Sequence, residues 1–498
     1  MRTSGVLMHL SSLPSPYGIG TMGKEAYRFV DFLKKAGQTY WQMLPVGPTS
    51  YGDSPYQSFS GYAGNPYFID LDLLVKEHLL KKQEILQFDW GKNEESVDYG
   101  LLYQNRFQVL KIASDRLIQK KSRAFADFCR EQKGWLDDYA LFMAEKDAHH
   151  GKSWMEWEKP LRFREEKAIR EAKKTYAEEI TFYKVVQFLF FRQWKELKAY
   201  ANKNGIGIIG DVPIYVASDS ADVWTEPELF MLDKNLQMTK VAGCPPDAFS
   251  ATGQRWGNPL YRWDVMKKKE YDWWIRRVQG LSERYDIVRI DHFRAFDSYY
   301  AIPAKDQTAE NGKWMKGPGI QLFRVLEKKL GKLNIIVEDL GYLTPSVMEL
   351  VKKSGFPGMK VLQFAFDTRE DGDYLPHNYP PYCVVYTGTH DNDTINGWMK
   401  SAPKESVKNA KEYLNLTEEE GYHWGMMRGA WSSVGETVIV TMQDLLGIGG
   451  EGRMNVPSTL GTNWKWRAKA GSYNTSLAKK MAKQMQLFGR MREDNKVW

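Results

Sequence analysis

Eight short apolar segments, separated by longer amphipathic stretches, constrain the fold of this 498-residue chain more than any other feature. Continuous apolar runs such as Ile206-Gly207-Ile208-Ile209 are typical of parallel strands that helices cover on both faces. The stretches between them carry apolar residues at helical spacing, and residues 24–36 end at Gly37, a helix stop signal. The predicted strands are residues 5–10, 39–45, 207–214, 286–291, 334–338, 360–366, 383–388 and 436–442.

Eight strands that alternate with helices predict an α/β fold, a (β/α)8 TIM barrel with helical and loop insertions between strands. An open, doubly wound sheet is the structural alternative, because strand counts from sequence are fragile. We expect one catalytic barrel over residues 1–498. It carries an inserted helical subdomain at 74–204, a loop-rich insertion at 218–268 and a helical insertion at 404–430.

Composition argues against several classes of protein. The longest apolar run, residues 185–191, is far shorter than the roughly 20 residues that span a bilayer. No secretory segment is formed, and Cys129, Cys244 and Cys383 are too scattered for a disulfide framework or a zinc site. The net charge of +7 arises from intermixed basic and acidic residues. We therefore expect a cytoplasmic protein that binds neither membranes nor nucleic acid, with its oligomeric state left open.

Charged side chains follow most of the predicted strands, and in a barrel these strand ends gather at one mouth. A single strand-terminal Asp is more often a helix cap or a surface residue than a catalyst. Several acids at one rim favour a catalytic site instead. In chain order these residues are Asp211, Arg289, Asp291, His292, Glu338, Asp339, His390, Asp391 and Asp444.

Two of these acids suit cleavage of a glycosidic bond with retention, which needs a carboxylate nucleophile and a protonated acid about 5 Å apart. Arg289 lies two residues before Asp291, so both side chains point to one face of a strand. The guanidinium is therefore expected to hold Asp291 ionised as the nucleophile. Glu338 ends an apolar run, where desolvation is expected to raise its pKa and keep it protonated as the general acid.

Other kinds of chemistry fit the sequence less well. His292 and His390 lie on separate strands without an H-x-x-x-H spacing, so hydrogen bonds to sugar hydroxyls are favoured over a metal site. The glycine-rich residues 447–452 lack a following Lys-Ser/Thr, so no nucleotide is implied. No cofactor is expected, because nucleophile and acid are both side chains. Aromatic rings in Gly/Pro-rich loops suit sugar faces, although each could simply pack on the core.

A series of motifs runs in order from residue 5 to about residue 467. They include HLSSLP at 9–14, YWQMLPVGPT at 40–49, SPYQSFS at 54–60, GDVPIYV at 210–216, QRWGNP at 254–259, RIDHFR at 289–294, EDLG at 338–341, THDN at 389–392 and NVP at 455–457. Their content and order resemble glycoside hydrolase family seventy-seven, the bacterial amylomaltases or 4-α-glucanotransferases.

The resemblance implies roles for individual residues. It implies that Asp291 is the nucleophile, Glu338 the acid/base and Asp391 the stabiliser of the transition state. Further residues that it implies for glucose binding are Asp211, Arg289, His292 and His390 at the cleavage point, and Tyr56, Trp256 and Asn463 at neighbouring subsites. The implied reaction transfers an α-1,4-glucan segment from a maltodextrin to the 4-hydroxyl of another glucan. The alternatives are an amylase-type hydrolase and a non-catalytic maltodextrin-binding protein, which would not need paired carboxylates.

Overall fold

The core of the protein is one sheet of eight parallel strands, in the order β6-β7-β8-β1-β2-β3-β4-β5. The computed structural model describes residues 2–50, 52–246, 250–341, 343–369 and 372–491. The strands are β1 (Thr3–Leu7), β2 (Tyr40–Met43), β3 (Gly207–Pro213), β4 (Ile287–Asp291), β5 (Ile335–Val337), β6 (Gly358–Val361), β7 (Cys383–Tyr386) and β8 (Thr437–Thr441).

The sheet curls into a barrel. Strand β1 pairs in parallel with both β2 and β8, so the first and last strands are neighbours. At the remaining seam, the Val337 N–H donates to the Pro357 carbonyl at 3.0 Å, which joins the end of β5 to the start of β6. The predicted (β/α)8 barrel is confirmed, and the open doubly wound sheet is excluded.

Helices follow most strands, and the residues at their ends match the start and stop signals expected from the sequence. The helix Pro345–Ser354 begins at Thr344, whose side chain accepts from the Val347 N–H at 3.4 Å. It ends at Gly355, which has a φ of +69°. Helices of the barrel wall include Lys24–Lys35, Asp272–Arg284, Ile320–Leu330, Tyr422–Ser432 and Thr475–Leu487.

The sixth strand is shorter than predicted and begins earlier. Only Gly358–Val361 is extended, and Leu362–Phe366 forms a 3-10 helix. The Gln363 amide helps to stabilise this turn, because its Nε2 donates to the Asp393 carbonyl at 2.8 Å. An apolar run alone cannot distinguish a strand from a buried helical turn.

A second, antiparallel sheet of four strands was not predicted. Its strands, in spatial order, are Gln254–Pro259, Lys240–Cys244, Ser298–Pro303 and Lys313–Lys316. They are short, interrupted by Gly and Pro, and partly polar, so the sequence gives little periodic signal for them. The first two lie within residues 218–268, where the sequence suggested only loops; residues 247–249 fall outside the described part of the chain.

The stretch at residues 74–204 is helical, and its long last helix braces the loop that follows β2. Gln187 exchanges two hydrogen bonds with Gly64, at 2.8 and 2.9 Å, and Gln193 exchanges two with Asp70. Helices in this stretch are Lys82–Leu86, Tyr99–Gln119, Arg123–Glu131, Lys133–Ala148, Lys159–Arg162, Glu166–Thr175 and Ala177–Lys203.

Residues 404–430 contain the helix Lys404–Leu414 and most of Tyr422–Ser432. No helix among the described residues is long and apolar enough to cross a membrane.

Candidate active site

One buried arginine connects three carboxylates at the mouth of the barrel. Arg289 and Asp291 lie two residues apart on β4, and Arg289 is in register with Asp211 on the neighbouring β3. Arg289 Nη1 donates to the two oxygens of Asp211 at 2.6 and 2.7 Å and to Asp291 Oδ1 at 3.3 Å. Its Nη2 donates to Glu338 Oε2, just past the end of β5, at 3.1 Å. Three adjacent strands therefore bring their acids to a single cation, as the strand-end pattern predicted.

The charge of this arginine is secured by its partners. Burial lowers the pKa of Arg289, but the attraction of Asp211, Glu338 and Asp291 outweighs burial and raises the pKa well above its ordinary value. The guanidinium therefore stays positive while buried, and it can support whichever carboxylate carries negative charge.

Asp291 and Glu338 are hydrogen-bonded to each other, so their titrations are linked. Burial and repulsion from Glu338 raise the pKa of Asp291 well above its usual range. Burial also raises the pKa of Glu338, but the hydrogen bond with Asp291, the charge of Arg289 and the His292 N–H, the last at 3.0 Å, together lower it.

These pKa directions differ from the sequence-based expectation, in which Glu338 has the raised pKa, and the protonated state of Glu338 in catalysis stays a prediction. The reason is geometric. Arg289 uses its two shortest hydrogen bonds on Asp211, so Asp291 receives only the 3.3 Å contact, whereas Glu338 accepts from both a guanidinium and a backbone N–H. The catalytic roles of the two acids concern the substrate complex and stay predictions.

Tyr56 and His390 lie together beside this cluster. The Tyr56 hydroxyl donates to Asp211 Oδ2 at 2.8 Å. Its ring stacks on the His390 ring, with centroids 4.9 Å apart and planes 17° apart, and Trp464 contacts both rings. The loop after β2 and the end of β7 thus join the carboxylate cluster through one aromatic stack.

Asp391, the third predicted catalytic carboxylate, lies at the more open side of the site, and its side chain is 46% exposed. Its Oδ1 accepts from Asn455 Nδ2 at 2.6 Å and lies 3.5 Å from His390 Nε2. Arg453 Nη2 donates to the Asp391 carbonyl at 2.6 Å. The sequence analysis missed both Asn455 and Arg453, although Asn455 opens one of the quoted motifs.

Trp256 comes from the second sheet and lies against His292. The two rings meet edge to face, with centroids 4.7 Å apart and an interplanar angle of 89°. Trp256 Nε1 donates to Gln254 Oε1 at 3.1 Å, which ties the indole to its own strand. Burial lowers the pKa of His292 to about 4, so this imidazole is neutral at pH 7 and can both donate and accept hydrogen bonds.

Asn463 has a different environment from the other predicted binding residues. Its Oδ1 accepts from the Val456 N–H at 3.0 Å, and its Nδ2 donates to the Thr459 carbonyl at 2.9 Å. These bonds close the loop between Val456 and Asn463, so the described contacts of this amide support the loop. A direct contact to glucose stays a prediction.

Two further acids singled out at strand ends support the barrel. Asp339 accepts from the Met359 N–H at 2.6 Å, and Asp444 accepts from the Thr387 hydroxyl and the Ile395 N–H at 3.0 and 2.7 Å. Burial raises the pKa of Asp444 to about 6. Within the part of the chain that the structure describes, no group of three or more His, Cys, Asp or Glu side chains could hold a metal ion.

The barrel mouth therefore holds a hydrogen-bonded pair of carboxyls, a third carboxylate on the open side, and aromatic rings around them. Paired carboxyls at a barrel rim, beside flat amphipathic rings, are typical of enzymes that break and form glycosidic bonds.

Comparison with known proteins identifies the member of this class. The family model described as 4-alpha-glucanotransferase, glycoside hydrolase family 77, matches residues 8–473, and the chain belongs to this family. It is 52% identical to a 4-alpha-glucanotransferase of Clostridium butyricum over 97% of this chain and 100% of that protein. It is 50% identical to one of Thermus thermophilus over 94% and 95% of the two chains. The amylomaltase from Streptococcus agalactiae in complex with acarbose superposes with a TM-score of 0.97 at 43% identity, covering 99% and 100% of the two chains.

Proposed function

We propose that this chain is a retaining 4-α-glucanotransferase that uses Asp291 as the nucleophile and Glu338 as the acid/base. The observation that carries the proposal is the hydrogen-bonded pair of these two carboxyls beside Arg289, whose guanidinium reaches both. A retaining mechanism needs two carboxyls held close together, one ionised as the nucleophile and one protonated as the acid. Transferase activity is also that of the family to which the chain belongs.

The reaction begins with Asp291 ionised and Glu338 protonated, the state that retention requires. Arg289 supports the ionised Asp291 through its Nη1. Ionised Asp291 attacks C1 of the donor sugar, and Glu338 gives its proton to the departing 4-oxygen. The C1–O bond breaks, a glucan with a free 4-hydroxyl leaves, and the donor segment stays bonded to Asp291.

The second half restores the starting state. The 4-hydroxyl of an acceptor glucan attacks C1 and gives its proton to Glu338, while the bond to Asp291 breaks. Arg289 stabilises whichever carboxylate is ionised, because its Nη1 reaches Asp291 and its Nη2 reaches Glu338. Asp391 is assigned to the 2- and 3-hydroxyls of the reacting sugar, where it balances positive charge in the transition state.

Transfer must outcompete hydrolysis, although water is present at about 55 M. A bound acceptor in attack geometry can exceed that effective concentration, provided that the intermediate is shielded from water. Trp256 lies against His292, directly after the nucleophile, and the rings of Tyr56 and His390 stack beside Asp211. We assign these rings to glucose units on the two sides of the cleaved bond.

Maltotriose as the sole substrate tests the assignment. A transferase releases glucose and builds maltopentaose and longer chains while total reducing ends stay almost constant, because every bond broken is replaced by one formed. A steady rise in reducing ends, with no product longer than maltotriose, would instead support the amylase-type hydrolase. The Asp291→Asn variant serves as the inactive control.

The same proposal names maltooligosaccharides and α-1,4-glucans as both donors and acceptors, in the cytoplasm. The family match supports the glucans, and the free, buried thiol of Cys383 supports a reducing compartment. Fractionation of cells that produce the protein, with activity assayed in each fraction, tests the location.

A further inference from the structure

We propose that Asn455 is a positioning residue that aims Asp391. The inference rests on the proposed function, in which Asp391 stabilises the transition state. It concerns the hydrogen bond from Asn455 Nδ2 to Asp391 Oδ1, which is 2.6 Å long.

Asp391 needs an external support more than the other two catalytic carboxylates do. Asp291 is the last residue of β4, and Glu338 follows β5 directly, so the sheet fixes both. Asp391 lies five residues beyond the end of β7, and its side chain is 46% exposed. A carboxylate on a loop keeps its rotamer only if a neighbouring group holds it.

The amide of Asn455 is the group that does so. Among the described residues, the other charged or polar side-chain atom near the carboxylate is His390 Nε2, at 3.5 Å, which is longer than a good hydrogen bond. The amide occupies Oδ1, and no described residue donates to Oδ2. One oxygen is therefore fixed while the other is available to sugar hydroxyls.

Asn455 is itself held in place. Its N–H donates to the His390 carbonyl at 3.0 Å, and its own carbonyl accepts from Arg453 Nε at 2.8 Å. Arg453 Nη2 completes the connection by donating to the Asp391 carbonyl at 2.6 Å. These hydrogen bonds join the loop after β8 to the loop after β7. The backbone of Asn455 cannot move its side chain away from Asp391 without breaking them.

An amide is chemically suited to this task. Its N–H donates a hydrogen bond to the carboxylate, and it adds no positive charge that would cancel the field felt by the reacting sugar. The charged or titratable groups facing Asp391 are His390, the Arg453 guanidinium at its backbone, and the more distant Tyr56. A neutral donor leaves the full negative charge available to the transition state.

Two variants test the proposal. Asn455→Ala should lower kcat about 10²-fold, because a misaimed carboxylate loses its effect in the transition state, with KM changed less than about threefold. Asn455→Asp keeps the shape and places a second carboxylate against Asp391. At neutral pH the two repel, but as the pH falls the introduced carboxyl binds a proton and can donate as the amide does. The activity of Asn455→Asp relative to the unsubstituted enzyme should therefore rise on acidification, whereas that of Asn455→Ala stays constant.

A matched control is available nearby, where the helix Ile395–Ser401 contacts the segment after β8. Asn396 Nδ2 donates to the Gly447 carbonyl at 2.8 Å, and no described contact joins it to Asp391. Asn396→Asp makes the same chemical change, and its activity relative to the unsubstituted enzyme should not rise on acidification. Thermal unfolding of every variant separates loss of positioning from loss of folding.

A double-mutant cycle separates this inference from the proposed function. If Asn455 acts through Asp391, Asn455→Ala costs nothing further in the Asp391→Asn background. Near-normal kcat in folded Asn455→Ala, a constant relative activity of Asn455→Asp across pH, or fully additive losses would each overturn the positioning role. Near-normal turnover by Asp391→Asn would overturn the assigned function of Asp391, and with it the role of Asn455.

Discussion

Asp211 accepts two hydrogen bonds from a single nitrogen of Arg289, with Nη1 lying 2.6 and 2.7 Å from its two oxygens. Both side chains are buried, so Asp211 fixes the guanidinium against β3. The other hydrogen bonds of the Arg289 guanidinium reach Asp291 and Glu338. Asp211, which is not assigned to bond breaking, therefore determines how the Arg289 guanidinium is shared between Asp291 and Glu338.

Asp211→Asn should lower the unfolding free energy by about 3 to 5 kcal/mol, because it leaves a buried guanidinium with one partner fewer. Activity should also fall, since Arg289 is then free to move toward Asp291. Urea unfolding measures the stability change. Asp72→Asn is the matched control, because its ion pair with Lys82 is about half exposed and should contribute only about 0 to 1 kcal/mol.

Asp291→Asn should lower transfer by about 10³-fold or more, because an amide cannot form the glycosyl intermediate. Initial rates on maltotriose measure this. Normal turnover by a folded, homogeneous preparation would contradict the assignment of the nucleophile.

The same substitution should make the protein more stable near neutral pH. The pKa of Asp291 is higher in the folded state than in the unfolded state, where it is near 3.8. The protonated Asp291 side chain therefore contributes its full share of stability below the unfolded pKa. That contribution is lost as the pH rises through the folded pKa. Asp291→Asn removes the titrating carboxyl, so the variant does not lose stability in this way as the pH rises. The difference in unfolding free energy in its favour should grow from about pH 4 toward pH 7, and a constant difference would contradict the raised pKa.

Glu338→Gln should be inactive on maltodextrins but should retain attack on a glucosyl donor whose leaving group needs no protonation. The comparison of maltotriose with such an activated donor measures the acid role directly. If the two kinds of donor lose activity equally, Glu338 does not supply the proton.

Trp256→Ala should reduce transfer more than hydrolysis, because the indole lies against His292, where an acceptor ring is proposed to stack. The measurement is the ratio of new long chains to new reducing ends from maltotriose. The unsubstituted enzyme gives the reference ratio. An unchanged ratio at reduced total rate would assign Trp256 to packing alone.

Gly64→Ala tests how the packing of the helix Ala177–Lys203 against the loop after β2 affects the protein. An added Cβ would lie 2.1 Å from the Phe190 ring on the long helix, so the loop that carries Tyr56 must move. We expect about 1 to 3 kcal/mol of destabilisation and a loss of activity. Gly134, with nothing within 4 Å of an added Cβ, provides the control, since Gly134→Ala should not destabilise the protein.

Much of the barrel and its acidic mouth could be predicted because both depend on local pattern. Apolar runs mark buried parallel strands, and the residue at the end of each run must lie at the rim, which is how Asp291 and Glu338 were found. The same rule selected Asp339 and Asp444, which instead accept hydrogen bonds from the barrel itself.

Features set by distant neighbours could not be predicted. The difference between the surroundings of Asp291 and Glu338 depends on how Arg289 divides its donors among three strands, and the support of Asp391 depends on Asn455, 64 positions along the chain. The four-stranded second sheet pairs segments around the site whose own patterning is weak.

The adjacency of β1 and β8 has a consequence for biosynthesis. Thr3 and Thr437 contact each other across 434 positions of sequence, so the ribosome completes the first strand long before its second neighbour exists. Until then, the apolar edge at Val6 has a partner only on the β2 side and can pair with another chain instead. A nascent chain stalled before β8 would present two such edges, at β1 and β7, so we expect chains truncated before β8 to aggregate more readily than the full-length chain.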